Sequence, residues 1–316
     1  MNNLLSVNWE ITRRCNLGCI YCRVSGGKMK KNELSFEQAK GVVSKLAKAN
    51  YLHIKFTGGE PLLKSYFWDL VKYVHEQKMV VSLFTNATLI RDQDIELFKK
   101  YIASVAVSLD SLDRSQNRKL GRDRTDYIIK NVERLRDAGI HTVLSSTITG
   151  INANQIGSLI RLTKELEISE IKINDFVMNG RAEKNKHLLR LSRPFKDQVT
   201  SLVKVIKRVF DETAEYNEHF RCECSNNDIF ISYNGDVYPC VELVYRSKQF
   251  CLGNINSDNL GDILETNEKF SSQIKRSDTC AYSYLSSPHV SACLNRDKCP
   301  KSLSVYISKA KHREQQ

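Results

Sequence analysis

Six short runs rich in β-branched and aromatic residues alternate with amphipathic segments along the first two thirds of the chain. That rhythm limits the fold more than any other feature. The strand-like runs are SVNWEIT, HIKFTGG, VVSLFTN, SVAVSLD, TVLSSTIT and EIKINDFV. Between them, SFEQAKGVVSKLAKAN, SYFWDLVKYVHEQK, IIKNVERLRDAG and NQIGSLIRLTKELE repeat apolar residues at three- and four-residue intervals, the helical spacing. Ser35 followed by Gln38 is a helix N-terminal signal. Strand–helix–strand alternation demands parallel strands joined by right-handed crossovers. Six such units fall short of the eight that close a barrel. The predicted fold is therefore α/β: an open, partial (β/α)6 TIM-like barrel over residues 1–217. An amphipathic pattern over 194–215 predicts a long helix closing it.

The rest, residues 218–316, has another character. DIFISYNGDVYPC reads as a hairpin with an Asn-Gly turn at Asn234 and Gly235. Short loops and one weak helix, over 259–272, follow. So little apolar periodicity calls for another source of stability, and bound metal supplies one. Cysteine placement agrees. Of ten cysteines, three (Cys15, Cys19, Cys22) sit at the N-terminus, seven lie beyond residue 220, and none lies between. The chain is long and opens without a secretory signal, so a disulfide scaffold does not fit. Clustered thiols in a reducing compartment point to metal. No apolar run is long enough to span a membrane, and the expected location is the cytoplasm. The net charge of +12 suits a phosphorylated, nucleic-acid or acidic peptide partner, or simply a lysine-rich surface.

The run CNLGCIYC, from Cys15 to Cys22, offers three thiols and no fourth ligand nearby; His53 is the closest histidine and follows the next helix. A structural zinc site wants four ligands. Three cysteines on a cubane iron-sulfur cluster leave one iron without a protein ligand, which makes sense if something else binds there. The bland alternatives are a zinc loop or a chance cluster.

This run resembles the CxxxCxΦC signature of the radical SAM superfamily. The resemblance implies that Cys15, Cys19 and Cys22 hold a 4Fe-4S cluster whose free iron is chelated by S-adenosylmethionine, with Tyr21 at the aromatic position beside the last ligand. FTGGEP follows the second strand and resembles the family's GGE motif, implying that Gly58, Gly59 and Glu60 engage the methionine moiety. Independently, paired glycines permit close backbone approach and a carboxylate suits an ammonium. Asn86 in TNAT, after strand three, and Ser108 and Asp110 in SLD, after strand four, resemble polar stations for cofactor and substrate; capping is the competing role for the last two. The family more often has Asn-Gly where this chain has Asn86-Ala87. Asn-Gly-Arg-Ala at 179–182 resembles a recurrent element after strand six. Every motif follows its strand, so in a parallel barrel all would meet on one face.

In the C-terminal part, Cys224, Gly235 and Cys240 resemble the C-x10-G-x4-C hairpin that opens the SPASM and twitch extensions of one radical SAM branch, and CLGNI from Cys251 fits as well. The resemblance implies at least one auxiliary 4Fe-4S cluster, with Cys224, Cys240, Cys280, Cys293 and Cys299 as candidate ligands. Seven thiols cannot fully ligate two clusters, which need eight. A four-cysteine zinc site is the alternative. Cys222 and Cys251 are then spare, and Cys222 is a candidate hydrogen-atom donor, against the plainer role of a small buried residue.

The implied activity is cleavage of S-adenosylmethionine to a 5′-deoxyadenosyl radical that abstracts a hydrogen atom. The first candidate substrate is a ribosomally made peptide, matured by epimerisation or crosslink formation. The second is an aminoglycoside-like small molecule, oxidised or epimerised. A third class is a non-catalytic iron-sulfur or RNA-binding protein, which would not need both the cysteine loop and GGE. The basic stretch 114–124 favours an acidic peptide over a cationic sugar. The cluster loop begins at residue 15, leaving no room before it for a winged-helix leader-binding domain, so recognition by the barrel itself or by a separate partner is expected. Further expected partners are an electron donor such as flavodoxin or ferredoxin; nucleic acid and membrane are not expected.

Overall fold

The computed structural model describes residues 5–168, 170–191, 228–241, 243–244, 247–275 and 305–308. Six parallel strands form its centre: β1 (Ser6–Thr12), β2 (His53–Gly58), β3 (Val80–Thr85), β4 (Ser104–Ser108), β5 (His141–Ile148) and β6 (Glu170–Asp175). Each pairs with the next in sequence. The crossovers carry α1 (Phe36–Lys48), α2 (Phe67–Glu76), α3 (Ile95–Tyr101), α4 (Arg114–Lys119), α5 (Thr125–Asp137) and α6 (Ile156–Glu165); α7 (Arg181–Lys184) and α8 (Lys186–Leu189) follow β6. The partial (β/α)6 barrel read from the sequence is the fold observed.

Alternation along each strand explains the two faces. Val7, Trp9 and Ile11 of β1, Ile54 and Phe56 of β2, Val81 and Leu83 of β3 and Ile171 and Ile173 of β6 are buried in one continuous core. That core includes Val42, Val43 and Leu46 of α1, Leu70, Val71 and Val74 of α2 and Leu159 and Ile160 of α6. The intervening strand residues, such as Glu10, Thr57, Ser108, Ser145 and Asn174, face a cavity instead. The barrel thus has an apolar outside, covered by helices, and a polar inside.

Ser35 and Gln38 form a full capping box: the Gln38 N–H donates to Ser35 Oγ, and Gln38 Oε1 accepts from the Ser35 N–H at 2.9 Å. The sequence did not announce α3, which spans seven residues and fully buries only Phe98, too short for a periodic signal. Likewise α4 lies hidden inside the basic stretch, capped by Asp113.

The hairpin continues the same sheet. β7 (Ile229–Ile231) runs parallel to β1, and β8 (Asp236–Tyr238) and β9 (Gly253–Asn254) extend it antiparallel. At the opposite edge β10 (Val305–Ser308) pairs antiparallel with β6. The turn differs from the expected two-residue Asn-Gly turn: it spans 232–235 and only Gly235 has a positive φ, of 90°. α9 (Leu260–Lys275) fills the place of the weak helix. The helix expected over 194–215 lies outside the described residues. Among the described residues no helix is long and apolar enough to cross a membrane.

Candidate active site

The cysteine loop leaves β1 after Thr12 and is closed by its own backbone. The Cys15 N–H donates to Gly27 O at 2.8 Å, and the Gly27 N–H to Arg13 O at 2.9 Å. Loops from either side then hold it. After β4, Gly121 O and Leu120 O accept from the N–H groups of Gly18 and Ile20. After β6, Arg181 donates from Nε to Cys19 O at 2.7 Å and from Nη1 to Gly26 O at 2.6 Å. Asn185 Nδ2 adds a bond to Ile20 O at 3.0 Å. The Asn-Gly-Arg-Ala element at 179–182 is thus a clamp on the cysteine loop.

Cys15, Cys19 and Cys22 line a single cavity of about 360 Å³ at the carboxyl ends of the strands. Each sulfur faces an N–H donor: Leu17 N–H at 3.5 Å for Cys15, Arg122 Nη1 at 3.6 Å for Cys19 and Gly26 N–H at 3.4 Å for Cys22. Burial pushes the Cys15 thiol up to about 11 and raises that of Cys19, which Arg122 opposes. Bound metal would deprotonate them, and these donors would then face anionic sulfurs, the second-shell pattern of a cluster site. Among the described residues no three His, Cys, Asp or Glu side chains gather closely enough for one metal ion. Three sulfurs lining one cavity, each facing its own donor, suit a cubane, where each cysteine takes its own iron. The residues present fit a 4Fe-4S cluster.

Gly58 and Gly59 sit where β2 meets the start of the cysteine loop. Gly58 has φ 146°, and a Cβ there would come within 2.3 Å of Thr12 O; a Cβ on Gly59 would lie 2.2 Å from Arg14 O. The close approach they permit is to backbone: the Gly59 and Glu60 N–H groups donate to Thr12 O and Arg14 O at 2.7 and 2.8 Å. Both glycines also line the cavity. Glu60 does not. It is fully buried and accepts from the Leu62 N–H, Thr85 Oγ1 and the Asn86 N–H. Burial raises its carboxyl to about 7, those bonds and Arg122 opposing. Glu60 therefore ties the loop after β2 to the loop after β3. There Asn86 lines the cavity and donates to Asn16 Oδ1 at 2.9 Å. Ala87 takes φ 58°, a left-handed conformation that explains why glycine suits this position.

Tyr21 and Ser108 line the cavity, whereas Asp110 stands behind its wall, 1% exposed. Its carboxylate accepts from the Tyr21 hydroxyl and the Thr147 N–H and pairs with Arg122 Nε at 3.2 Å. Arg122 further donates to Tyr21 Oη at 3.0 Å and to Ser108 O at 2.7 Å. The structure therefore brings Tyr21, Gly58, Gly59, Asn86, Ser108 and the three cysteines to one cavity and leaves Glu60 and Asp110 in its support. Sequence reasoning marked Arg181 only as part of Asn-Gly-Arg-Ala, and missed Arg122 and Glu10, a buried cavity-wall carboxylate paired with Arg13 at 3.1 Å. No spacing rule marks such residues; only the basic stretch around Arg122 hinted at it. Cys240 follows β8, and the Cys251 thiol donates to Gly253 O at 3.4 Å. Cys222, Cys224, Cys280, Cys293 and Cys299 lie outside the described residues.

Residues 9–163 match the model of the radical SAM superfamily, and residues 222–295 match that of SPASM, an iron-sulfur cluster-binding domain. Fe-coproporphyrin III synthase of Methanosarcina barkeri is 32% identical over 184 residues, covering 56% of this chain and 45% of that protein. The antilisterial bacteriocin subtilosin biosynthesis protein AlbA of Bacillus subtilis is 27% identical over 279 residues, covering 83% and 60%. The chain thus spans about half of the length of the curated relatives it matches. Streptococcus suis SuiB, solved bound to precursor peptide SuiA, shares the fold with a TM-score of 0.68 at 19% identity, over 86% of this chain and 67% of that one. The cofactors of the two matched domains are a 4Fe-4S cluster with S-adenosylmethionine at the first and auxiliary iron-sulfur at the second. With three cysteines around one cavity and a second cysteine-bearing region carried on the same sheet, the chain belongs to the radical SAM superfamily and bears a SPASM extension.

Proposed function

We propose that the protein matures a ribosomally made peptide by radical chemistry, abstracting a hydrogen atom and leaving an epimerised or crosslinked residue. One observation carries the chemistry. Three cysteines line the cavity, and no fourth cysteine or histidine does so among the described residues, so a cluster held there keeps one iron for S-adenosylmethionine. The peptide substrate is supported by the subtilosin protein and by the fold shared with SuiB.

Bound there and reduced, the cluster and S-adenosylmethionine supply a 5′-deoxyadenosyl radical. The chain's own residues do the rest. Cys15, Cys19 and Cys22 hold the cluster, with N–H donors steadying each sulfur. Gly58, Gly59, Asn86, Ser108 and Tyr21 bind S-adenosylmethionine. Glu60 acts by fixing the Asn86 loop, and Asp110 by fixing Tyr21 and Arg122; both are positioning residues. Cys240, with Cys224, Cys280, Cys293 and Cys299, ligates auxiliary iron-sulfur. Cys222 is the candidate hydrogen-atom donor, and flavodoxin or ferredoxin the candidate electron source.

Anaerobically reconstituted protein with dithionite and S-adenosylmethionine is expected to release 5′-deoxyadenosine, and a Cys15→Ala, Cys19→Ala, Cys22→Ala variant none. Equal yields from both would end the radical reading. With a peptide substrate in D2O, epimerisation adds one deuterium while crosslinking removes two hydrogens. Turnover stimulated by an aminocyclitol, and by no peptide, would sink the peptide assignment.

A further inference from the structure

Three loops that meet around the cavity carry exposed cations, of which Lys119 also acts on the nearby Asp113 carboxyl, helping to lower it. Lys28, Lys30 and Lys31 are exposed on the return of the cysteine loop. Arg118 and Lys119 are exposed on α4, whose following residues Leu120 and Gly121 bond directly to that loop. Lys184 and Lys186 are exposed beside Asn185, which bonds to Ile20 O. The three groups therefore sit on the cysteine loop or on segments bonded to it, around the rim of the cavity. None of these side chains is ion-paired to another described residue.

Carboxylates on the same loops are fewer and mostly occupied. Asp113 caps α4, Asp126 pairs with Arg114, and Glu33 is buried against Lys64 at 2.8 Å. Asp123 and Glu183, both exposed, are the exceptions. Inside the cavity the charges are already engaged: Glu10 pairs with Arg13 at 3.1 Å. Arg122 and Arg181 are occupied by protein acceptors, and Arg23 is also engaged. A compact anion such as a nucleotide triphosphate has no open guanidinium to meet within. An extended chain could lay its negative charges across the rim and send one uncharged side chain inward.

We infer that this rim is the docking surface for an acidic segment of the peptide substrate, an inference that rests on the peptide reading above. Long-range attraction across such a rim raises the encounter rate and selects against basic partners. It also weakens with salt, because exposed charges are screened.

The test is anisotropy of a fluorescein-labelled Glu/Asp-rich peptide on the reconstituted enzyme, beside its Gln/Asn counterpart, a single-stranded RNA oligonucleotide and GTP. The acidic peptide should bind and the Gln/Asn peptide should not. Lys28→Glu, Lys30→Glu, Lys31→Glu should weaken binding by about tenfold or more, and the three Lys→Gln changes by less. Reversing exposed lysines elsewhere, as Lys48→Glu, Lys99→Glu, Lys130→Glu, should change it by no more than about twofold. Equal loss in both reversed variants, tighter binding of RNA or GTP, or no peptide binding overturns the inference. Wild-type protein that releases 5′-deoxyadenosine yet ignores the acidic peptide loses this inference alone. One that releases none loses the radical reading, whatever it binds.

Discussion

At the scale of single residues, the buried trio of Tyr21, Asp110 and Arg122 holds the cavity wall behind Cys19. Asp110 and Arg122 are 1% and 7% exposed in their side chains, so water compensates neither when its partner goes. Asp110→Asn keeps a carbonyl for the Thr147 N–H but removes the charge. It is expected to cost about 3 kcal/mol in denaturant unfolding, because breaking a buried pair strands the remaining ion. Ser108→Ala should cost no more than about 1 kcal/mol, since Arg122 bonds to the Ser108 main-chain oxygen. Equal losses in the two variants would deny Asp110 its supporting role. These residues also mark the reach of sequence reading. Cys15, Cys19, Cys22 and Gly58-Gly59 were legible because their spacing is local and their chemistry distinctive. The placement of Asp110 was not, because it depends on Arg122, twelve residues on, turning back through a loop.

At the scale of elements, the strands alternate between a helix-covered face and a polar interior, and the interior holds titratable groups away from the cluster. His53 on β2 bonds through Nε2 to Ser82 on β3 at 2.8 Å, and Ser82 to Ser104 on β4 at 2.7 Å. Burial, helped by Lys55, lowers the His53 imidazole from 6.5 to about 4. Its folded value lies below its unfolded one, so its contribution is present above pH 6.5 and is lost as pH falls toward 4. The residue is only partly buried, so that loss is discounted to about 1–2 kcal/mol. His53→Gln should flatten the stability profile between pH 4 and 6.5, measured by urea unfolding at stepped pH. An unchanged slope would show that the histidine is not the group responsible. Strand order and most crossovers were readable from periodicity, whereas α3 and α4 were not, being one or two turns long with few buried side chains.

At the scale of the whole molecule, the two metal-bearing regions share one sheet. The sequence suggested a division near residue 217, because the pattern changes there and cysteines return. Long-range pairing does not appear in pattern: β7 lies against β1, with Val7, Asn8 and Trp9 in register with Ile229, Phe230 and Ile231. Leu34 and Arg13 add contacts to Tyr233 in the turn, through a hydrogen bond of 3.1 Å and a guanidinium 4.5 Å from the ring centroid. A fragment ending at 217 would leave the outer edge of β1 with unpaired N–H and C=O groups, a template for other chains. It is expected to elute as large aggregates in light-scattering chromatography under conditions where the full chain does not. A well-behaved monomeric fragment would contradict this. The same seam restricts protein engineers: exchanging the tail for that of a relative amounts to replacing a plank in the hull, and any viable chimaera must bring a matching stave for the first strand.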